Sequence, residues 1–156
     1  YKEGDYINLD TGERGYVRHI GTRSTRILTR DDIEITIPNS VIATSKIINE
    51  SGGPHEKERI RISVDVAYGT DIENVKKIMM DIALSSNNVC EKPDPRVRFR
   101  NFGESGLNLQ LLCWIEKPEK RGLVIDEISC QIYNAFNDHK ITIPFPQRTL
   151  HIQKKD

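Results

Sequence analysis

The chain of 156 residues has no excess of charge of either sign, with 23 lysines and arginines against 23 aspartates and glutamates. A protein that held nucleic acid or an anionic membrane through its overall field would be markedly basic, and a solvating tail markedly acidic. Bulk charge excludes both. Long hydrophobic runs are missing as well. The longest is Leu111–Ile115, far short of the roughly 20 residues that cross a bilayer. No basic-then-apolar leader opens the chain, so on its own it reads as soluble. Cysteine is scarce: Cys90, Cys113 and Cys130 are odd in number and widely spaced. They suit neither a disulfide framework nor a zinc site, and they read as small hydrophobes in a reducing compartment. Asn49-Glu50-Ser51 matches a glycosylation acceptor, but without a secretory signal it reads as coincidence.

Signatures of catalysis are absent too. There is no dinucleotide or phosphate-binding glycine loop, no zinc-protease helix and no nucleophile elbow. His19, His55, His139 and His151 are far apart and share no metal-ligand spacing. Asp31-Asp32 falls in a turn and Asp126-Glu127 near a helix start, where carboxylates have structural uses. No enzyme activity, metal or cofactor is expected.

What is present is an apolar fraction of 37% and a charged fraction of 29%, enough for a globular core without covalent staples. At this length folding buries roughly two thirds of the unfolded surface. The first third reads as β. Tyr6–Leu9, Gly15–Ile20, Thr25–Thr29 and Ile33–Ile37 are short runs rich in β-branched or aromatic residues, and several alternate. Asp10-Thr11-Gly12, Gly21-Thr22 and Arg30-Asp31-Asp32 supply turn chemistry between them. Pro38 stops the fourth strand because it has no amide to donate, Asn39-Ser40 suits a turn, and Ser45–Asn49 can return as a fifth strand. Connections this short imply an antiparallel meander that closes into a small barrel or a strongly bent sheet. Glu50-Ser51-Gly52-Gly53-Pro54 is the natural boundary and hinge.

Beyond it the rhythm changes. Ile60, Ile62, Val64 and Val66 alternate with polar residues up to Tyr68-Gly69. A helix follows, opened by a Thr70-x-x-Glu73 capping box, with Ile72, Val75, Met79 and Ile82 on one face and Ile78 widening it. Val97–Phe102 and Leu107–Leu111 form a hairpin around Gly103–Gly106. A second helix over Leu123–Asn137 turns Val124 or Ile125, Ile128, Ile132, Ala135 and Phe136 inward. Leu150-His151-Ile152 completes a β-α-β-β-α-β order, the ferredoxin-like pattern, though so weak a strand can also leave the sheet.

Two arginine sets stand out. Arg14, Arg18, Arg23, Arg26 and Arg30 fall on adjacent strands of the β region. They read as a solvated face partly paired with Glu13, Asp31, Asp32 and Glu34, or as a positive rim that biases ions. Arg96-Arg98-Arg100 alternates with Val97 and Phe99 to make one basic stripe, either a plain solvent face or a phosphate-binding one.

Several strings, in order, resemble the small-conductance mechanosensitive channel family. They are Gly4-Asp5-Tyr6-Ile7, Thr22–Ile27, Ile37-Pro38-Asn39-Ser40, Ile47-Ile48-Asn49, Tyr68-Gly69-Thr70-Asp71, the Phe102–Ile115 hairpin and Ile143–Leu150. The resemblance spans nearly the whole chain. It implies a mixed β plus α+β fold: a small five-stranded Sm/SH3-like β domain over residues 1–52, a ferredoxin-like α/β domain over 53–148, and a C-terminal strand over 149–156.

It also implies a homo-oligomer of seven subunits enclosing a cytoplasmic vestibule, joined to the inner membrane by helices upstream of Tyr1. Such a channel passes ions and small solutes and releases them on hypo-osmotic shock. Within it Arg18, Arg23 and Arg26 become candidates for vestibule electrostatics, and Leu150 with Ile152 for a small axial barrel. Pro38 with Asn39, and the Pro144-Phe145-Pro146 connector, become structural motifs; the two prolines keep Phe145 extended and remove two donors. One departure is visible. The family usually places glycine just before Ile-x-Ile-Pro-Phe-Pro, where this chain has His139-Lys140, so the helix ends at a non-glycine left-handed residue or earlier, at Asn137. No nucleic-acid partner is expected, and the alternative is a nucleotide- or RNA-binding module that uses the arginine stripes. That alternative would call for exposed aromatics, and aromatic content is only 6%.

Overall fold

A computed structural model describes residues 1–53 and 57–154. The chain divides into two compact units, one built from Tyr1–Arg59 with Ile115–Gly122, the other from Ile60–Trp114 with Leu123–Asp156.

In the first unit β1 (Tyr6–Leu9), β2 (Arg14–Ile20), β3 (Ser24–Leu28), β4 (Glu34–Pro38) and β5 (Ile47–Asn49) form one antiparallel sheet in the order β4-β3-β2-β1-β5. All five strands lie where alternation and turn chemistry place them. Alternation sends Ile7, Leu9, Val17, Ile27 and Ile37 into one core, closed by Ile42 and flanked by Ile35 and Ile47. The Arg30-Asp31-Asp32 turn is the expected hairpin: the Thr29 amide reaches the Ile33 carbonyl (2.9 Å) and Asp32 takes the left-handed conformation at φ 58°, which a short polar side chain tolerates. Asn39-Ser40 differs from expectation. Instead of a simple turn it opens α1 (Asn39–Thr44), a short helix held down by buried Ile42. A segment this brief carries too little periodicity to separate a turn from a helix. The boundary region over Glu50–Gly53 has no regular structure, and its continuation through Pro54 lies outside the described residues.

The second unit holds α2 (Ile72–Ser85), β7 (Arg96–Phe102) and nearly all of β6 (Glu58–Val66), β8 (Leu107–Ile115) and α3 (Arg121–Asp138); a 3-10 turn over Pro118–Lys120, counted with the first unit, leads into α3. Its sheet runs β6-β8-β7. Val124, Ile128, Ile132 and Phe136 of α3 recur every four residues and are all buried, as are Val75, Ile78, Met79 and Ala83 of α2. The α2 stripe therefore centres nearer Ala83 than the expected Ile82, because a small residue allows close approach that hydropathy does not weigh. The cap of α2 also shifts by one residue. The Asp71 carboxylate accepts from the Glu73 and Asn74 amides (3.1 and 3.4 Å), while the Thr70 hydroxyl donates to the Ala67 carbonyl. An anion at the positive end of a helix is favoured over a neutral hydroxyl there.

α3 ends on a left-handed residue, and it is Lys140 (φ 55°) and not Asn137. The Lys140 amide reaches the Asn137 carbonyl (3.2 Å) and the Ile141 amide reaches that of Phe136 (2.8 Å). This is the paired bonding of a Schellman ending, with Ile141 buried as the accompanying apolar contact. From there residues 141–154 carry neither helix nor strand. One bond, Ala67 amide to Thr142 carbonyl (2.9 Å), sets the chain beside the end of β6, and the prolines at 144 and 146 then withhold the donors a ladder needs. Pro144 instead packs at Gly106, where an added Cβ would come within 2.7 Å of its ring and 2.8 Å of the Val66 carbonyl. The Gln147 amide bonds the Ser105 hydroxyl at 3.0 Å.

Candidate functional site

The β2–β3 hairpin presents the three arginines expected to matter. Arg18 is the extra residue of a bulge, since Val17 pairs with Ile27 and His19 with Arg26. Bulges re-aim side chains, and Arg18 is exposed. Arg23 stands in the turn, held there by a residue distant in sequence: the Asn39 side-chain amide donates to the Gly21 carbonyl (2.8 Å) and its oxygen accepts from the Thr25 hydroxyl (2.9 Å). The Asn39 backbone amide also bonds the Arg23 carbonyl (2.9 Å). Thr25 is fully buried, so its hydroxyl requires such a partner. The strings Thr22–Ile27 and Ile37–Ser40 are thus two halves of one locked turn. Arg26 pairs with Glu34 at 3.6 Å, both about half exposed, a geometry worth little in stability.

The rest of the expected rim is engaged in structure. Arg14 pairs with Glu50 at 2.7 Å and lies over the Tyr6 ring, 5.2 Å from its centroid. Arg30 donates to the backbone carbonyls of Glu119 and Pro118. Beside the hairpin the Glu3 carboxylate accepts from the Ile20 amide (2.9 Å) and faces the His19 ring (3.0 Å). Those two hydrogen bonds, the amide first, hold it below the usual carboxylate range. Of the five arginines, Arg18 and Arg23 are the ones whose side chains have no ion pair or hydrogen-bond partner among the described residues.

Leu150 and Ile152 are 79% and 87% exposed, and Phe145 between the two prolines is 83% exposed. The axial-barrel candidates therefore find no partner strand within the described residues of their own chain.

A clasp in the first unit escaped the sequence reading. The Asp5 carboxylate, 6% exposed, accepts from the Lys2 amide (2.9 Å) and the Asn49 side chain (2.7 Å). Burial pushes its pKa up, but these two hydrogen bonds together with nearby positive charge hold it below its ordinary value. The Asn49 side chain also accepts from the Ser51 amide (3.1 Å), so the residue of the apparent glycosylation string is engaged inside the fold. The available signal was that Asp5 and Asn49 sit in two of the resembling strings. Cys90 and Cys113 are buried, and burial pushes the Cys113 thiol up to about 11, an unreactive state.

Comparison with known proteins assigns this architecture to a class. Residues 1–52 match the sequence model of the mechanosensitive ion channel beta-domain, and residues 60–143 that of the C-terminal region of the mechanosensitive ion channel MscS. The chain belongs to the MscS family of mechanosensitive ion channels. It is 30% identical to an uncharacterized MscS family protein of Synechocystis, over 97% of this chain and 50% of that protein. It is likewise 30% identical to the small-conductance mechanosensitive channel of Edwardsiella ictaluri, over 97% and 52%. The crystal structure of Helicobacter pylori MscS in its closed state superposes with a TM-score of 0.83 at 28% identity, over 99% of this chain and 60% of that one. The chain thus spans about half the length of the curated relatives it matches. None of these matches favours the nucleotide- or RNA-binding alternative.

Proposed function

We propose that this chain is the cytoplasmic vestibule portion of a mechanosensitive channel in the inner membrane, and that the complete protein opens under membrane tension and releases solutes on hypo-osmotic shock. In this reading helices upstream of Tyr1 span the membrane, and identical subunits, seven in number, assemble into the vestibule. The observation that carries it is the segment after Pro146. Leu150 and Ile152 alternate with polar residues, are almost wholly exposed and pair with no strand among the described residues. A segment in which apolar and polar residues alternate and whose backbone is in no ladder suits forming a strand against copies of itself around an axis. Arg18, Arg23 and Arg26 then act as local charges that bias the ions reaching the pore.

The test is the complete protein reconstituted in liposomes and patched under suction. Tension-activated current is expected, and Leu150→Glu with Ile152→Glu should lower subunit assembly in cross-linking. Charge reversal at Arg18 and Arg23 should shift the reversal potential toward cations. Absence of tension-activated current, in a gene that carries no apolar segments of about twenty residues upstream, would sink the reading. The 156-residue chain alone is expected to be monomeric or weakly associated by light scattering, because one short strand per subunit is a small interface; a stable heptamer would refute that part.

A further inference from the structure

Among the described residues, the second unit carries a group of arginines without carboxylate partners on the outward face of its sheet. Ile60, Ile62 and Val66 of β6, Val97 of β7, and Leu109 and Leu111 of β8 are buried in the same unit as the helix stripes. The alternate positions turn outward. They carry Arg61, Ser63 and Asp65 on β6, Asn108, Gln110 and Leu112 on β8, and Arg96 and Arg98 on β7, with Arg100 the extra residue of a bulge; Leu112 is covered, the rest are exposed or half-buried. Hydrogen bonds across the strands place them on one face. Arg100 Nε donates to Gln110 Oε1 (3.0 Å), Gln110 Nε2 donates to Ser63 Oγ (3.2 Å), and Asn108 Nδ2 donates to Asp65 Oδ1 (2.9 Å).

The register says where the charges meet. Asn108 bonds Asp65 and Gln110 bonds Ser63, so the next step of the ladder sets Arg61 level with Leu112, whose partner on β7 is Arg96. Two strand spacings separate β6 from β7, roughly 10 Å, and Arg96 stands about 7 Å from Arg98 along its strand. Long guanidinium side chains span such gaps. None of the four arginines forms an ion pair among the described residues: Arg96 lies over the Trp114 ring at 5.7 Å, Arg100 is bonded to a neutral amide, and Arg61 and Arg98 are exposed. A ring face and an amide leave the positive charge in place. The one carboxylate among these outward positions, Asp65, likewise keeps its charge while it accepts from Asn108, so the face sets four guanidinium groups against one carboxylate.

We infer that this open sheet face is a binding surface for compact multivalent oxyanions of the phosphate type. Guanidinium forks match phosphate oxygens with paired hydrogen bonds, and several of them converging from two strands favour a ligand with more than one negative charge over chloride. The surface is a property of the sheet alone, so it stands or falls independently of the vestibule reading.

Pyrophosphate is the probe, titrated into the full 156-residue chain while the arginine Nε–Hε resonances are followed by NMR at low salt. Saturable shifts are expected at Arg61, Arg96, Arg98 and Arg100, with Arg18 and Arg23 unmoved and an equal ionic strength of chloride producing no saturation. Arg96→Gln with Arg98→Gln should weaken binding by at least about tenfold, and raising the salt into the range where the Debye length falls below ~8 Å should weaken it several-fold. Both positions are exposed, and an unchanged melting temperature confirms that the variant is folded. Shifts spread equally over Arg18 and Arg23, or a double variant within about twofold of the parent, would overturn the inference.

Discussion

The two units treat arginine in opposite ways. In the β unit three of the five arginines meet carboxylates or carbonyls from other parts of the chain, Arg14 with Glu50, Arg26 with Glu34 and Arg30 with the backbone at Glu119, and only the side chains of Arg18 and Arg23 stay unpaired among the described residues. In the second unit Arg61, Arg96, Arg98 and Arg100 face outward with one carboxylate among them. The difference follows from what holds each unit together. The β unit has a small apolar cluster and supplements it with polar clasps, whereas the second has two fully buried helix stripes and can leave its outer sheet face open. Overall neutrality is therefore a sum over two unlike surfaces.

That contrast can be broken most forcefully in the second unit. Phe136→Ala removes a fully buried ring from α3 and is expected to cost about 3–5 kcal/mol, read as a large fall in the denaturant midpoint. A small loss would mean that the helix stripes carry less than supposed. In the β unit the corresponding lesion is polar. Asn39→Ala strands the buried Thr25 hydroxyl and the Gly21 carbonyl and should cost about 1–3 kcal/mol, with amide exchange accelerated at Gly21–Ser24. If exchange rises evenly over the whole sheet, Asn39 is not a local lock.

The Asp5–Asn49 clasp adds a pH dependence. Its folded carboxyl titrates below the unfolded value, so the stability it contributes is present above that unfolded value, near 4, and fades as pH falls through the lower folded value. Asn49→Ala should therefore cost about 1 kcal/mol at neutral pH, and less in acid. A cost that does not change between neutral and acid solution would remove the clasp from the account. The smallest change is a gain. Lys140→Gly relieves a left-handed lysine and should stabilise by up to about 1 kcal/mol, seen as a slightly higher melting temperature. Unchanged stability would show that the loss of the lysine side chain offsets the relief.

How much of this was legible in the sequence depends on the range of the interaction. The eight strands and the two long helices follow from local alternation and four-residue spacing; the hairpin at Asp31-Asp32 follows from turn chemistry. Failures came where a segment was too brief to carry a pattern, as at Asn39-Ser40, which opens a short helix, or where two local signals competed. Thr70 and Asp71 both cap helices, and the carboxylate prevailed because the helix end favours an anion. Asn137 and Lys140 both offered a left-handed ending, and the pairing of Ile141 with Phe136 selected Lys140. Of the site, the resembling strings pointed to the right turns, but neither alternation nor spacing revealed that Asn39 reaches Gly21 and Thr25.

The sequence by itself determined the order of elements, the family and the neutrality of the whole, because propensity, pattern and motif are local and charge is additive. Only the tertiary structure decided which arginines remain available. An ion pair such as Arg14 with Glu50 joins residues far apart in the chain, and the fold alone sets which of the many possible partners comes within reach.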